Sequence, residues 1–78
     1  MTDWPAKPPR AVEAILLACW QEEFERGDLG RDDDFFALGG DSLTALRILM
    51  RANDYGITLD LIDIFECPTV ATLADRVQ

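Results

Sequence analysis

Helical periodicity most limits what this chain can fold into. From Val12 to Phe24 the apolar residues Val12, Ile15, Leu16, Cys19, Trp20 and Phe24 recur three or four positions apart. That spacing lines one face of an amphipathic helix, with Glu13, Gln21, Glu22 and Glu25 at its margins or outside it. The segment predicts a helix from Pro9, whose missing N–H costs nothing at a first helical position, to about Arg26, with Gly27 as its terminator. A second helix is expected over about Ser42 to Tyr55, ended by Gly56. In it Leu43, Leu46, Leu49 and Met50 form an apolar strip that Ala45, Ile48 and Ala52 widen, with Arg47, Arg51, Thr44 and Asp54 on the other side. Leu61 to Glu66 reads as a short helical turn behind Asp60, stopped by Pro68. Thr69 then caps a last helix over Val70 to Val77, with Val70, Leu73 and Val77 facing in. Ile57-Thr58-Leu59 is too short to pair as a strand. The expected fold is all-α: a small bundle of three main helices plus one short helix, with a long ordered loop between helices one and two.

A chain of 78 residues builds one small domain around one core. Residues 1–8, with Pro5 and Pro8 and no apolar period, read as a flexible leader or linker, leaving 9–78 as the folded domain. Composition excludes most function classes. A net charge of −8 repels phosphate backbones, so no nucleic-acid partner is expected. There is no histidine, which removes the usual general base and metal ligand, and no metal site is expected. The longest apolar run, Ala14 to Trp20, is seven residues, too short for a membrane span, and the N-terminus lacks the pattern of a signal peptide. Cys19 and Cys67 lie far apart with no CxxC and read as reduced thiols of a cytoplasmic protein.

Residues 28–41 have no helical period. They hold Leu29, Leu38, the pair Phe35-Phe36 and the acid run Asp32-Asp33-Asp34. A loop this long in so small a domain should pack its own side chains as an ordered lid. Phe36 and Leu38 are expected to pin it to the bundle, with the burial of Phe35 left open, while the acid run reads as solvated loop. Gly39-Gly40-Asp41 then opens the second helix, with Asp41 or Ser42 as its cap. A serine at a helix start behind two glycines has an exposed hydroxyl and unpaired backbone N–H groups, an arrangement that favours a phosphate. Gly40-Asp41-Ser42-Leu43 also spells the signature of a class of esterases whose serine is a nucleophile. Such a hydrolase needs a base beside the serine, and a chain without histidine lacks the normal one.

The run Asp33-Asp34-Phe35-Phe36-Ala37-Leu38-Gly39-Gly40-Asp41-Ser42-Leu43 resembles the signature of carrier proteins, most closely the peptidyl carrier (thiolation) domains of nonribosomal peptide synthetases. The likeness extends to Trp20 and Leu29-Gly30 upstream. Downstream it takes in Leu43 through Arg47, Ile64-Phe65, Pro68-Thr69-Val70 and Leu73-Ala74; Phe24 departs from the family's usual leucine. The resemblance implies that a phosphopantetheinyl transferase attaches 4'-phosphopantetheine from coenzyme A to Ser42, within the attachment motif Gly39, Gly40, Asp41 and Leu43. The arm then carries an aminoacyl or peptidyl group as a thioester. It implies a docking face at positions matching Leu43, Leu46, Arg47, Leu61 and Phe65. The partners implied are an adenylation domain and condensation, epimerisation, thioesterase or tailoring enzymes, acting on a monomeric, non-catalytic carrier. An acyl carrier for polyketide or fatty-acyl units is the alternative within the superfamily, and an unmodified helical interaction domain the alternative outside it. Fatty-acid carriers typically have an acidic second helix, whereas residues 42–56 here sum to +1. Arg47 and Arg51 on an outer face would therefore disfavour the enzymes of fatty-acid synthesis.

Overall fold

The computed structural model describes residues 9–77, so the expected leader lies outside the described residues. Four helices follow in order: α1 (Pro9–Phe24), α2 (Ser42–Asp54), α3 (Leu61–Glu66) and α4 (Val70–Val77). No strand occurs among the described residues. Helix α1 packs against both α2 and α4, and the short α3 bridges α2 and α4. The core between them is built from Val12, Leu16, Cys19 and Trp20 of α1 and Ala45, Ile48 and Ala52 of α2. Leu29 and Phe35 of the α1–α2 loop, Ile57 and Leu59 of the α2–α3 link, Ile64 of α3, and Val70, Leu73 and Ala74 of α4 complete it. Burial pushes the Cys19 thiol up to about 11 and keeps it neutral.

Two helix ends differ in how they match the sequence reading. Helix α2 ends as expected, with Gly56 at φ 84 and the Ile57 N–H returning to the Ala52 carbonyl at 3.0 Å. Helix α1 stops two residues earlier than its pattern suggests. Glu25, not Gly27, takes the left-handed position, at φ 56, and the Arg26 N–H closes on the Gln21 carbonyl at 3.0 Å. The reason lies beyond the helix: Gln21 Nε2 donates to the Leu29 carbonyl at 3.0 Å, which draws the chain back while Leu29 is buried. Tertiary pull at this point overrides the preference for glycine.

The α1–α2 loop is ordered, as expected, by its own packing and by hydrogen bonds at both ends. Arg31 makes two bonds to the Glu13 carboxylate, at 2.7 and 3.0 Å, and its carbonyl accepts from the Ala71 N–H at 3.0 Å. Phe35 donates its N–H to the Pro68 carbonyl at 2.6 Å. Members of the acid run shape the loop: Asp33 accepts from the Gly30 N–H, and Asp34 from the N–H groups of Phe36 and Ala37. Phe36, expected to pin the loop, is the more exposed of the two phenylalanines. Phe35 is fully buried, in edge contact with Trp20 and Phe24 at 5.7 Å between centroids, whereas Phe36 is 50% exposed. The turn over residues 34–40 decides this, because only one of two adjacent side chains can point into the bundle.

The inward face of α2 also differs from the sequence reading. Ala45, Ile48 and Ala52 are buried, while Leu43, Leu46 and Met50 of the supposed core strip are exposed. Both triplets have helical spacing, so periodicity alone admits either face. Two alanines in the seam let α2 lie close to α1, and the bulkier residues turn outward.

Candidate functional site

Ser42 is the first residue of α2 and is exposed. Three features of the preceding chain place it. Asp34 caps a turn in which Leu38 donates to the Asp34 carbonyl, Gly39 to Phe36 and Gly40 to Phe35, each at 3.0 Å. Gly39 has φ +89, and a Cβ there would meet nothing within 4 Å, so its role is conformational and the space beside it is open. Gly40 lies so close to the Phe35 ring that a Cβ would fall 2.5 Å from it.

The choice of cap between Asp41 and Ser42 is settled by geometry. Asp41 has extended backbone, φ −136 and ψ −172, and its carboxylate accepts from the Thr44 N–H at 2.9 Å and the Thr44 hydroxyl at 3.0 Å. The Ser42 hydroxyl therefore has no capping duty, and no hydrogen bond to it occurs among the described residues. It stands free at a helix start, where aligned peptide groups favour an anion. The chain has no histidine to serve as the usual base beside it, and a hydroxyl so placed is accessible to modification by another enzyme.

The same hydrogen bonds from Thr44, the backbone one foremost, hold the Asp41 carboxyl below the usual carboxylate range. A carboxyl with a lowered folded pKa contributes stability above its unfolded pKa and loses it as pH falls through the folded value. Asp41→Asn retains a capping oxygen but does not titrate. Urea midpoints of wild type and Asp41→Asn are expected to differ more at about pH 7 than at about pH 3. A gap independent of pH overturns this account of the cap.

The exposed large apolar side chains of α2 are Leu43, 55% exposed, Leu46, 41%, and Met50, 59%, and that of α3 is Ile62, 54%. Of the residues expected to dock partners, Leu43 and Leu46 are exposed, whereas Leu61 and Phe65 are half-buried against the core. Ile62 and Met50, which the sequence reading did not place on the docking face, are exposed. Only the burial of the neighbouring face distinguishes Ile62 from Leu61, and sequence spacing over so short a helix does not. Arg47 is exposed but engaged. It donates to Glu23 at 3.3 Å, while Arg51 donates to Glu23 at 3.1 Å and to Glu22 at 2.8 Å. The Glu23 side chain is only 7% exposed. The arginines of α2 thus clasp α1, which corrects the reading of a free positive outer face; their charge is matched by Glu22 and Glu23.

Among the described residues no group of three or more His, Cys, Asp or Glu is placed to hold a metal ion. None of their helices is long and apolar enough to cross a membrane.

A small four-helix bundle that presents a lone serine hydroxyl at the start of its second helix has the architecture of a carrier domain. Residues 14–77 match the family of the phosphopantetheine attachment site, and the chain belongs to that family. It is similar to malpinin synthetase of Mortierella alpina, 44% identical over 71 residues that make up 90% of this chain and 1% of that protein. A solved nonribosomal PCP domain superimposes with a TM-score of 0.82 at 39% identity, covering 99% of this chain and 96% of that one. The McyG A-PCP structure, complexed with phenylalanyl-adenylate, matches at a TM-score of 0.76 and 31% identity, covering 97% of this chain and 12% of that one. The chain spans between 1% and 6% of the length of the curated relatives it matches. It is a carrier domain homologous to the peptidyl carrier domains of nonribosomal peptide synthetases. The family's cofactor is covalently attached 4'-phosphopantetheine. The exposed hydroxyl and the open space beside Gly39 fit such a group.

Proposed function

We propose that Ser42 holds 4'-phosphopantetheine through a phosphodiester at its Oγ, and that the domain carries an aminoacyl or peptidyl group in nonribosomal peptide synthesis. The observation that carries this reading is the division of labour at the start of α2: Asp41 caps the helix, and Ser42 is left exposed with no hydrogen-bond partner among the described residues. Ser42 is also the only serine in the chain. When bound, the group supplies a thiol on a flexible arm, on which acyl groups are held as thioesters. The chain itself binds, presents and is recognised, without catalysis of its own. Its partners on this reading are a phosphopantetheinyl transferase, an adenylation domain, and condensation, epimerisation, thioesterase or tailoring enzymes. The likeness to the PCP part of the McyG A-PCP structure supports the adenylation partner. The carrier acts as a cytoplasmic monomer. Incubation with coenzyme A and a broad-specificity transferase should add the mass of one phosphopantetheine. A chain that gains no mass overturns the proposal.

Partners dock on Leu43, Leu46, Met50 and Ile62, with Leu61 and Phe65 beneath them and Arg47 at the edge. Exposed side chains contribute little to stability, so Leu46→Ala and Ile62→Ala are expected to slow turnover by a partner enzyme while changing stability by less than ~1 kcal/mol. Leu61→Ala and Phe65→Ala should lower both, because these side chains also pack on the core. Partner turnover unaffected by Leu46→Ala and Ile62→Ala places docking elsewhere.

A further inference from the structure

We propose that Phe35 is a positioning residue for Ser42, acting through Gly40; this rests on Ser42 being the attachment residue. The turn over residues 34–40 folds the chain back so that Gly40 donates its N–H to the Phe35 carbonyl at 3.0 Å. The ring of Phe35 then lies directly behind the Gly40 backbone. A Cβ at position 40 would sit 2.5 Å from Cε2 and Cζ of that ring and 2.7 Å from Cε1. No real contact is that short, so either the ring or the backbone would have to move.

The ring is poorly placed to move. It is fully buried, and four other aromatic rings surround it: Trp20 and Phe24 at 5.7 Å, Phe36 at 5.3 Å and Phe65 at 6.5 Å. Its own backbone is tied to the α3–α4 link by the 2.6 Å bond from Phe35 N–H to the Pro68 carbonyl. Close-packed interiors transmit such constraints instead of absorbing them. The backbone must yield instead, and the next residues along it are the cap Asp41 and then Ser42. The separation between the Phe35 ring and the Gly40 backbone therefore sets where α2 begins, and with it where the serine hydroxyl stands. Glycine at position 40 and an aromatic ring at position 35 form one device: the ring is a fixed back-stop, and the absent side chain lets the helix start rest against it.

A transferase reads that position directly. A displacement on the order of 1 Å at a reacting group can cost about 100-fold in rate. The test is a double-mutant cycle on phosphopantetheine transfer, using wild type, Gly40→Ala, Phe35→Leu and the pair, each first confirmed as helical by circular dichroism. Gly40→Ala is expected to lower kcat by about 10- to 100-fold with the KM for coenzyme A within about twofold, because the hydroxyl is displaced while the donor site on the transferase is untouched. Phe35→Leu clears the ring, so the pair should return to within about threefold of Phe35→Leu alone. A loss of stability by itself would produce neither the split between kcat and KM nor the rescue. If leucine leaves the core unfolded, Phe35→Met takes its place. Independently, the folded Gly40→Ala variant should show altered amide signals at Ser42 and Leu43 by NMR, with the ring signals of Trp20 and Phe24 unchanged.

A pair slower than Phe35→Leu alone by the same factor that separates Gly40→Ala from wild type overturns the proposal, since the added methyl would then act independently of the ring. So does a Gly40→Ala rate equal to wild type, or a Phe35 ring that moves in that variant while the amide signals of Ser42 and Leu43 do not. Wild type that gains no mass, or Ser42→Ala that does, overturns the attachment assignment and this proposal with it. A modified wild type with no rescue overturns the positioning role alone.

Discussion

Ser42→Ala is expected to take up no phosphopantetheine, against complete modification of the wild type under the same conditions. The effect should be total because the chain offers no second serine. The nearest hydroxyl in sequence, Thr44, is bound to the Asp41 carboxylate at 3.0 Å and lies half-buried one residue beyond Leu43. The variant should nonetheless fold. Asp41 provides the cap, alanine is well suited to a first helical turn, and an exposed substitution of this kind changes stability by about 0.5 kcal/mol or less. Intact-mass measurement and far-ultraviolet circular dichroism on the same sample separate the two effects. A mass gain by the alanine variant moves the attachment elsewhere; an unfolded variant shows that the serine hydroxyl serves the helix after all.

The second large effect is on stability and concerns two adjacent phenylalanines. Phe35→Ala is expected to destabilise by ~3–5 kcal/mol, the usual range for emptying a fully buried aromatic site. A domain of this size is stable by only ~5–15 kcal/mol, so the variant would sit near the edge of folding. Phe36→Ala should cost about 1 kcal/mol or less, since half its surface is already in water and its losses are contacts with Phe35 and Phe65. Urea midpoints of the two variants decide the matter, and equal falls would mean that the loop does not hang on Phe35.

The helices and the place of the serine could be read from the chain alone. Local chemistry determines them: apolar residues at helical spacing, Thr69 and the Asp60 turn at helix starts, Gly56 and Pro68 at stops, and the unbroken run from Asp33 to Leu43. The four helices fall within about two residues of expectation at every boundary. The ordered loop was legible too, because two phenylalanines in an aperiodic stretch must be covered by something.

What remained hidden were choices between two locally equivalent answers. Periodicity permits α2 to bury either Leu43, Leu46 and Met50 or Ala45, Ile48 and Ala52, and the close approach of α1 selects the smaller set. Either Phe35 or Phe36 could enter the bundle, and the turn closed at Gly40 selects Phe35. Arg47 and Arg51 look free along the sequence, but Glu22 and Glu23 lie more than twenty residues earlier and meet them only when α1 and α2 pack. The sequence by itself determined where helices start and stop and which hydroxyl is presented, because capping, spacing and turn chemistry act within a few residues. Which faces are buried, which charges are matched and what holds the serine in place were decided by the tertiary structure, because each depends on a contact between segments that no local pattern encodes.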